Sequence, residues 1–228
     1  MRVLYFCDSI LNIDKFRKSL DSKNQNYFLI SSKNIIKSTF LSFGWILFHR
    51  RFSTLILIIY NLIKKEIFFI KKKHLEEDCS HISQLLKPEV GIHSMGIIYS
   101  DLLIQSCKYG ILNCHIGKLP EMRGRSVFEW SLLLNVEVGN SIFFIDCGID
   151  TGKRLLFFEP FEYKKYNCLS QAKKAFFDSS PEMYKKALNF IDMGKSYLNN
   201  DISKGRRYYV MSKLMLNVSK KYFSTLNQ

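Results

Sequence analysis

Short apolar runs of strand character, alternating with helix-like segments, constrain this chain most. RVLYFC (2–7) reads as a buried strand, 14–20 as the helix after it, and YFLIS (27–31) as a second strand. Further on, EVGIHS (89–94) reads as a strand behind Lys87-Pro88, 101–107 as a short helix, and ILNCHI (111–116) as a strand after Gly110. RSVFEWSLLLN (125–135) is an apolar-rich helix. NSIFFID (140–146) and KRLLFFEPF (153–161) are strands flanking a tight CGIDTG turn, where Gly148 and Gly152 supply backbone freedom. Ser180-Pro181-Glu182 marks a helix start, with Ser as N-cap and Pro at the first helical position. Met183, Ala187, Phe190 and Ile191 form that helix's apolar face, and Gly194 ends it. A last amphipathic helix carries Leu214, Val218 and Tyr222 on one side. The order predicts an α/β, Rossmann-like architecture: a mainly parallel sheet with helices on both faces and a short helical C-terminal extension. The expected boundaries are one domain over 1–198 and a tail over 199–228.

The composition narrows the setting. Of 228 residues 47% are apolar, ample for a buried core. The six cysteines at 7, 79, 107, 114, 147 and 168 include no CxxC pair, which argues against a disulfide scaffold or a metal site and for the reducing cytoplasm. The N-terminus, MRVLYFCDS, lacks a small-residue cleavage site and reads as a first strand. Lys and Arg outnumber Asp and Glu by 34 to 20, for a net charge of +14. Nucleic acid, an anionic membrane or a phosphorylated small substrate would each exploit that charge, and a solvated lysine-rich surface accounts for it equally.

Residues 35–75 stand apart. STFLSFGWILF (38–48) is closed by His49-Arg50-Arg51, and FSTLILIIYNLI (52–63) by Lys64-Lys65. Both fall short of the roughly 18–20 apolar residues a membrane span requires, so no transmembrane helix is expected. Two readings remain: an interfacial helix on the inner face of an anionic membrane, or a core helix under a basic rim.

Two segments carry chemistry, NCHIGKLPEMRG (113–124) and DCGIDTG (146–152). Asn113 and His115 are two apart on a strand, so their side chains point the same way, near the carboxyl end where open α/β sheets bind ligands. An amide N–H there can stabilise an oxyanion, and an imidazole can handle a proton. Asp150, in its glycine-bracketed loop, can approach a ligand or orient the histidine. A lone strand histidine is more often structural, however, and a DTG tripeptide is often only a turn.

Together the two segments, as NxHxxxLPxxRG followed by DxGIDTG, resemble the signature of the formyltransferases that use 10-formyltetrahydrofolate. The resemblance is firm over about 89–160. It implies Asn113, His115 and Asp150 as the catalytic set. It implies a folate pocket from Gly96, Ile97, Ile98 and Tyr99, and from Asp146, Cys147, Gly148 and Ile149. It matches Leu119, Pro120, Arg123 and Gly124 to a loop on the substrate side. The family often has Pro and Ser after the histidine, where this chain has Ile116, Gly117 and Lys118. The implied reaction is direct transfer of a formyl group from 10-formyltetrahydrofolate to an amine, without a metal.

Three acceptors compete within that resemblance. A methionyl-tRNA formyltransferase is expected to carry a C-terminal barrel, whereas 78 residues follow Asp150 here and read as strands and helices. A glycinamide ribonucleotide formyltransferase is expected to cradle phosphate with a glycine-rich loop after strand one, whereas CDSILNIDK (7–15) holds no glycine. A nucleotide-linked amino sugar, as in surface-glycan biosynthesis, requires neither feature. Lys118, Arg123, Gly124 and Arg125 are then the candidate substrate-binding residues, and no nucleic-acid partner is expected. An inactive formyltransferase-like module that binds a partner or a membrane through 35–75 is the alternative of another class. The sequence leaves the oligomeric state open, a homodimer included.

Overall fold

A computed structural model describes residues 1–16, 23–32, 42, 58–59, 62–64 and 66–226. They form two compact units, Met1–Leu112 and Asn113–Gln228.

The first unit is built on parallel strands. β1 (Arg2–Cys7), β2 (Gln25–Ser32), β3 (Ile67–Lys71), β4 (Val90–Ser94) and the start of β5 (Ile111–His115) stand in the order β3-β2-β1-β4-β5, with every pairing parallel. Val3 to Cys7 are all fully buried, as a central parallel strand requires on both faces. Strand order reverses at β1, and the carboxyl ends beside such a reversal are where this kind of sheet takes ligands. Among the described residues, accompanying helices include α1 (Asn12–Phe16), α2 (Leu75–Leu86) and α3 (Asp101–Gln105).

Most of the segment from 35 to 75, and with it the choice between an interfacial and a core helix, lies outside the described residues. Its described end is neither. IFFIK is the edge strand β3, with Ile67 and Ile70 buried and Lys71 at its end. The aromatic and β-branched density of this run favours pairing with β2 over helix. A 3-10 turn at Lys72–His74 leads into α2, whose first turn holds Glu76, Glu77 and Asp78 against the positive helix end. Lys87, left-handed at φ 47, closes α2 before Pro88. Among the described residues no helix is long and apolar enough to cross a membrane.

The second unit begins inside β5, at Asn113. It continues through β6 (Met122–Gly124), α4 (Val127–Leu133), β7 (Gly139–Phe144), β8 (Arg154–Pro160), α5 (Leu169–Asp178), α6 (Ser180–Asp192), β9 (Leu198–Asn199), β10 (Arg206–Tyr208) and α7 (Lys213–Thr225). β7, β8 and β9 pair antiparallel, while β10 pairs with β6 in parallel. Phe128, Leu132, Val138, Leu169, Ala172, Phe176 and Phe223 make a buried cluster joining α4, α5 and α7.

Two expectations change here. Ser180 is the first residue of α6 and not its cap: its hydroxyl donates to the Phe177 carbonyl, because α5 runs almost directly into α6. Pro181 is tolerated there because early helical N–H groups lack intrahelical acceptors anyway. In α7 the stripe of Leu214, Val218 and Tyr222 faces outward, at 74%, 44% and 38% exposure, while Ser219 and Phe223 are buried. Phe223 is seated in the buried cluster, with Leu216 and Leu226 packed against it, and these residues set which side of α7 faces inward.

The cysteines differ in burial. Burial pushes the Cys107 thiol up to about 12 and raises that of Cys7 as well. The Ser170 hydroxyl beside Cys168, then the backbone at Gln171, pull that thiol down. The thiolate is the nucleophile, so iodoacetamide at about pH 8 is expected to label Cys168 well before Cys7 or Cys107. Time-quenched labelling read by mass spectrometry checks this, and equal rates would contradict it.

Candidate functional site

β5 ends at His115, and the two-residue strand period puts Asn113 and His115 on one face. Asn113 is half-buried and His115 buried at 5% exposure. Both nitrogens of the His115 ring meet acceptors: Nε2 lies 2.6 Å from the Met122 carbonyl, and Nδ1 lies 3.4 Å from Oδ1 of Asp150. The ring is thus held between a main-chain carbonyl and a carboxylate.

Asp150 is 11% exposed and sits in the left-handed region at φ 55, uncommon for a residue with a side chain. Its Oδ2 accepts the Gly124 N–H at 2.9 Å. The two motifs therefore meet: the histidine of the first and the aspartate of the second pair, and the arginine-glycine end of the first holds the aspartate's other oxygen. Asp146 organises the loop before Asp150, its Oδ1 accepting from the Thr151 hydroxyl at 2.6 Å and the Gly148 N–H at 3.0 Å. Cys147 and Gly148 are exposed, and Ile149 is half-buried.

The loop after His115 is held by groups the sequence did not single out. Fully buried Ser141 on β7 donates to the Gly117 carbonyl at 2.7 Å and accepts the Leu119 N–H at 3.0 Å. A Cβ on Gly117 would lie 2.8 Å from Nε2 of His115 and 2.9 Å from the Met122 oxygen. Gly117→Ala is therefore expected to break the His115–Met122 bond and cut turnover by roughly 10-fold or more, the scale of a small misplacement in a catalytic site. Steady-state kinetics at a temperature where circular dichroism matches the parent would check it, and unchanged turnover would show that the ring does not depend on this contact.

The remaining predicted residues fall as follows. Arg123 turns its guanidinium to the carbonyls of Ile202 and Gly205, at 3.4 and 3.3 Å. Lys118 reaches Glu137 at 3.2 Å, and exposed Arg125 donates its backbone N–H to Tyr208. The segment GRRYYVM (205–211) supplies β10, which lies along β6 from Met122 to Gly124. In the first unit, the Gly96 N–H donates to Asp8 at 2.8 Å, and the Tyr99 hydroxyl meets Nδ1 of His93 at 3.1 Å. Ile97 and Ile98 line a cavity of about 430 Å³ together with Lys72, Lys73 and Leu103. Thus Gly96 to Tyr99 stand in the first unit, and every other predicted site residue stands in the second.

No protein-family model matches the chain. A methionyl-tRNA formyltransferase of Clostridium tetani is 28% identical over 131 residues, which is 56% of this chain and 42% of that protein. The chain thus spans less than half the length of that curated relative. Among solved structures, a 4-N formyltransferase from Francisella tularensis aligns over 96% of this chain and 85% of that one, at TM-score 0.61 and 15% identity. A glycinamide ribonucleotide transformylase from Symbiobacterium toebii aligns over 88% and 93%, at TM-score 0.61 and 10% identity. The formyltransferase PseJ from Anoxybacillus kamchatkensis, in complex with UDP-4,6-dideoxy-4-formamido-L-AltNAc and tetrahydrofolate, aligns over 100% of both chains, at TM-score 0.57 and 15% identity. The chain thus shares the fold of these formyltransferases, and part of its sequence is similar to that of methionyl-tRNA formyltransferases.

Proposed function

We propose that this chain transfers a formyl group from 10-formyltetrahydrofolate to the amine of a nucleotide-linked amino sugar. The observation that carries the reading is the pairing of His115 with Asp150, beside Asn113 at the end of β5. The folate donor supplies an activated formyl group. A neutral amine attacks the formyl carbon, the new C–N bond forms, the bond to the folate nitrogen breaks, and the amine gives up a proton as that nitrogen takes one. Negative charge gathers on the formyl oxygen during attack. The Asn113 amide donates to it, and the His115 cation stabilises it electrostatically. Asp150 favours that cation by its opposite charge and fixes the ring's orientation. With both nitrogens turned to acceptors, His115 acts as a held positive charge and not as the base that first deprotonates the amine.

The loop after β1 bears Asp8, which takes the Gly96 N–H, so it offers a carboxylate where a phosphate cradle would offer free N–H groups. PseJ, whose structure holds a formylated UDP-sugar, aligns along its whole length. The net charge of +14 suits a diphosphate-bearing acceptor.

The test is a mass-spectrometric assay with 10-formyltetrahydrofolate and a panel of acceptors: UDP- and dTDP-linked amino sugars, glycinamide ribonucleotide, and methionyl-tRNA. One formyl group gained by a sugar nucleotide is the expected result. Formylation of glycinamide ribonucleotide or methionyl-tRNA alone would overturn the acceptor, and no formylation of any would overturn the activity.

A further inference from the structure

Directly after β9, the buried side chain of Asn200 packs against the loop that carries Asp150. Asn200 is 1% exposed. Its amide Nδ2 donates to the carbonyl of Asp150 at 3.3 Å and to that of Gly152 at 3.1 Å, and its own N–H donates to the Lys153 carbonyl at 3.0 Å. Three carbonyls of this loop are thus held from one residue.

We propose that Asn200 is a positioning residue for Asp150, fixing the left-handed backbone turn that aims the carboxylate at His115; this rests on the formyl-transfer reading above. A left-handed turn at a residue with a side chain is unfavourable and persists only where its surroundings enforce it. The carbonyl of Asp150 is the group whose direction that turn sets, and it is the one Asn200 grips. The Oδ1 of Asn200 is buried with no hydrogen-bond partner among the described residues, an arrangement that costs stability. An amide kept at such a cost is retained for what its donors hold. The same strap reaches the other side of the carboxylate. β10 lies along β6, and Gly124 at the end of β6 donates to Oδ2 of Asp150. The tail thereby holds Asp150 through its main chain at Asn200 and through its side chain at β6.

Asn200→Ala removes both donors without adding bulk, and Asn200→Ser keeps one shorter donor if the alanine variant folds poorly. Turnover of Asn200→Ala is expected to fall by roughly 10- to 100-fold, the scale of a small misplacement in a catalytic constellation. KM for the amine acceptor should stay within about twofold, since the lost interaction serves the transition state. If Asn200 acts through Asp150, the double variant Asn200→Ala/Asp150→Asn is no slower than Asp150→Asn alone, whereas a merely structural residue gives additive losses. A second readout needs no activity. In protein labelled with ¹⁵N-histidine, with His115 assigned by its loss in His115→Gln, the His115 ring resonances should move in Asn200→Ala in the same direction as in Asp150→Asn. Turnover within twofold of the parent, or additive losses, would overturn the proposal. If the parent protein formylates no acceptor, the functional reading fails by itself and the ring resonances alone decide: a shift supports the role of Asn200, and unmoved resonances end it.

Discussion

Asn113→Ala and His115→Ala are each expected to lower formyl transfer by about 100- to 1000-fold, the usual cost of losing one group that stabilises a developing oxyanion. The two losses differ in kind. Asn113 is half-buried, and its removal takes away one N–H with little disturbance to the fold. His115 is buried between the Met122 carbonyl and Asp150, so its removal also leaves that carbonyl and the nearly buried carboxylate short of a partner. His115→Ala should therefore lower the unfolding midpoint as well, by an amount set by one or two unsatisfied groups at about 1–3 kcal/mol each. Both variants should lower kcat and kcat/KM together, because the interactions serve the transition state and not the bound amine. Single-turnover kinetics with formylated folate in excess would separate chemistry from product release. Near-parental turnover by either variant would remove that residue from the mechanism.

The parts of this site that sequence reveals are those with a periodic or compositional mark. Asn113 and His115 are visible because a strand repeats every two residues, so an Asn-x-His pair shares a face. Asp150 carries no such mark; only likeness to a family singles it out, since an aspartate in a glycine-flanked turn is ordinary. Ser141, the Met122 carbonyl and Asn200 are invisible for a common reason. Each acts through main-chain hydrogen bonds to residues distant in sequence, and neither a carbonyl's direction nor the asparagine in YLNND leaves a trace in residue types. The same division runs through the fold. β1, β2, β4, β5, β7 and β8 are apolar runs with clear ends, and all are found near their expected places. β3 is hidden because its four apolar residues lie between Lys64-Lys65 and Lys71 to Lys73, in the same basic-apolar alternation as the segment before it. β6 and β10, of three residues each, exist only because they pair with one another. α2 and α5 escape because their buried faces are thin, Leu75 and Cys79 in one and Leu169, Ala172 and Phe176 in the other.

Gly205→Ala tests that β6–β10 pairing where it is tightest. The backbone at Gly205 is extended, with φ −143 and ψ 173, so alanine suits its dihedral angles. The obstacle is space alone: a Cβ there would fall 1.7 Å from the Pro120 oxygen and 2.4 Å from the Pro120 carbonyl carbon. A main-chain carbonyl cannot swing aside as a side chain does, so β10 must move off β6. That movement strains the Arg206–Glu121 and Arg125–Tyr208 backbone bonds and the Arg123 contacts to Ile202 and Gly205. The expected loss is about 3 kcal/mol, the upper end for forcing an extra methyl into a packed interior. For a chain of this size that is a fall in Tm of about 6–12 °C, measurable by scanning calorimetry. Gly194→Ala is the matching control. Gly194 sits at φ 62 with no atom within 4 Å of its would-be Cβ, so only backbone strain of about 1 kcal/mol is expected there. A smaller shift for Gly205→Ala than for Gly194→Ala would mean that β10 yields freely. If β10 is held, Gly205→Ala should also lose turnover at temperatures far below its Tm, because β10 pairs with β6, whose Gly124 N–H steadies Asp150.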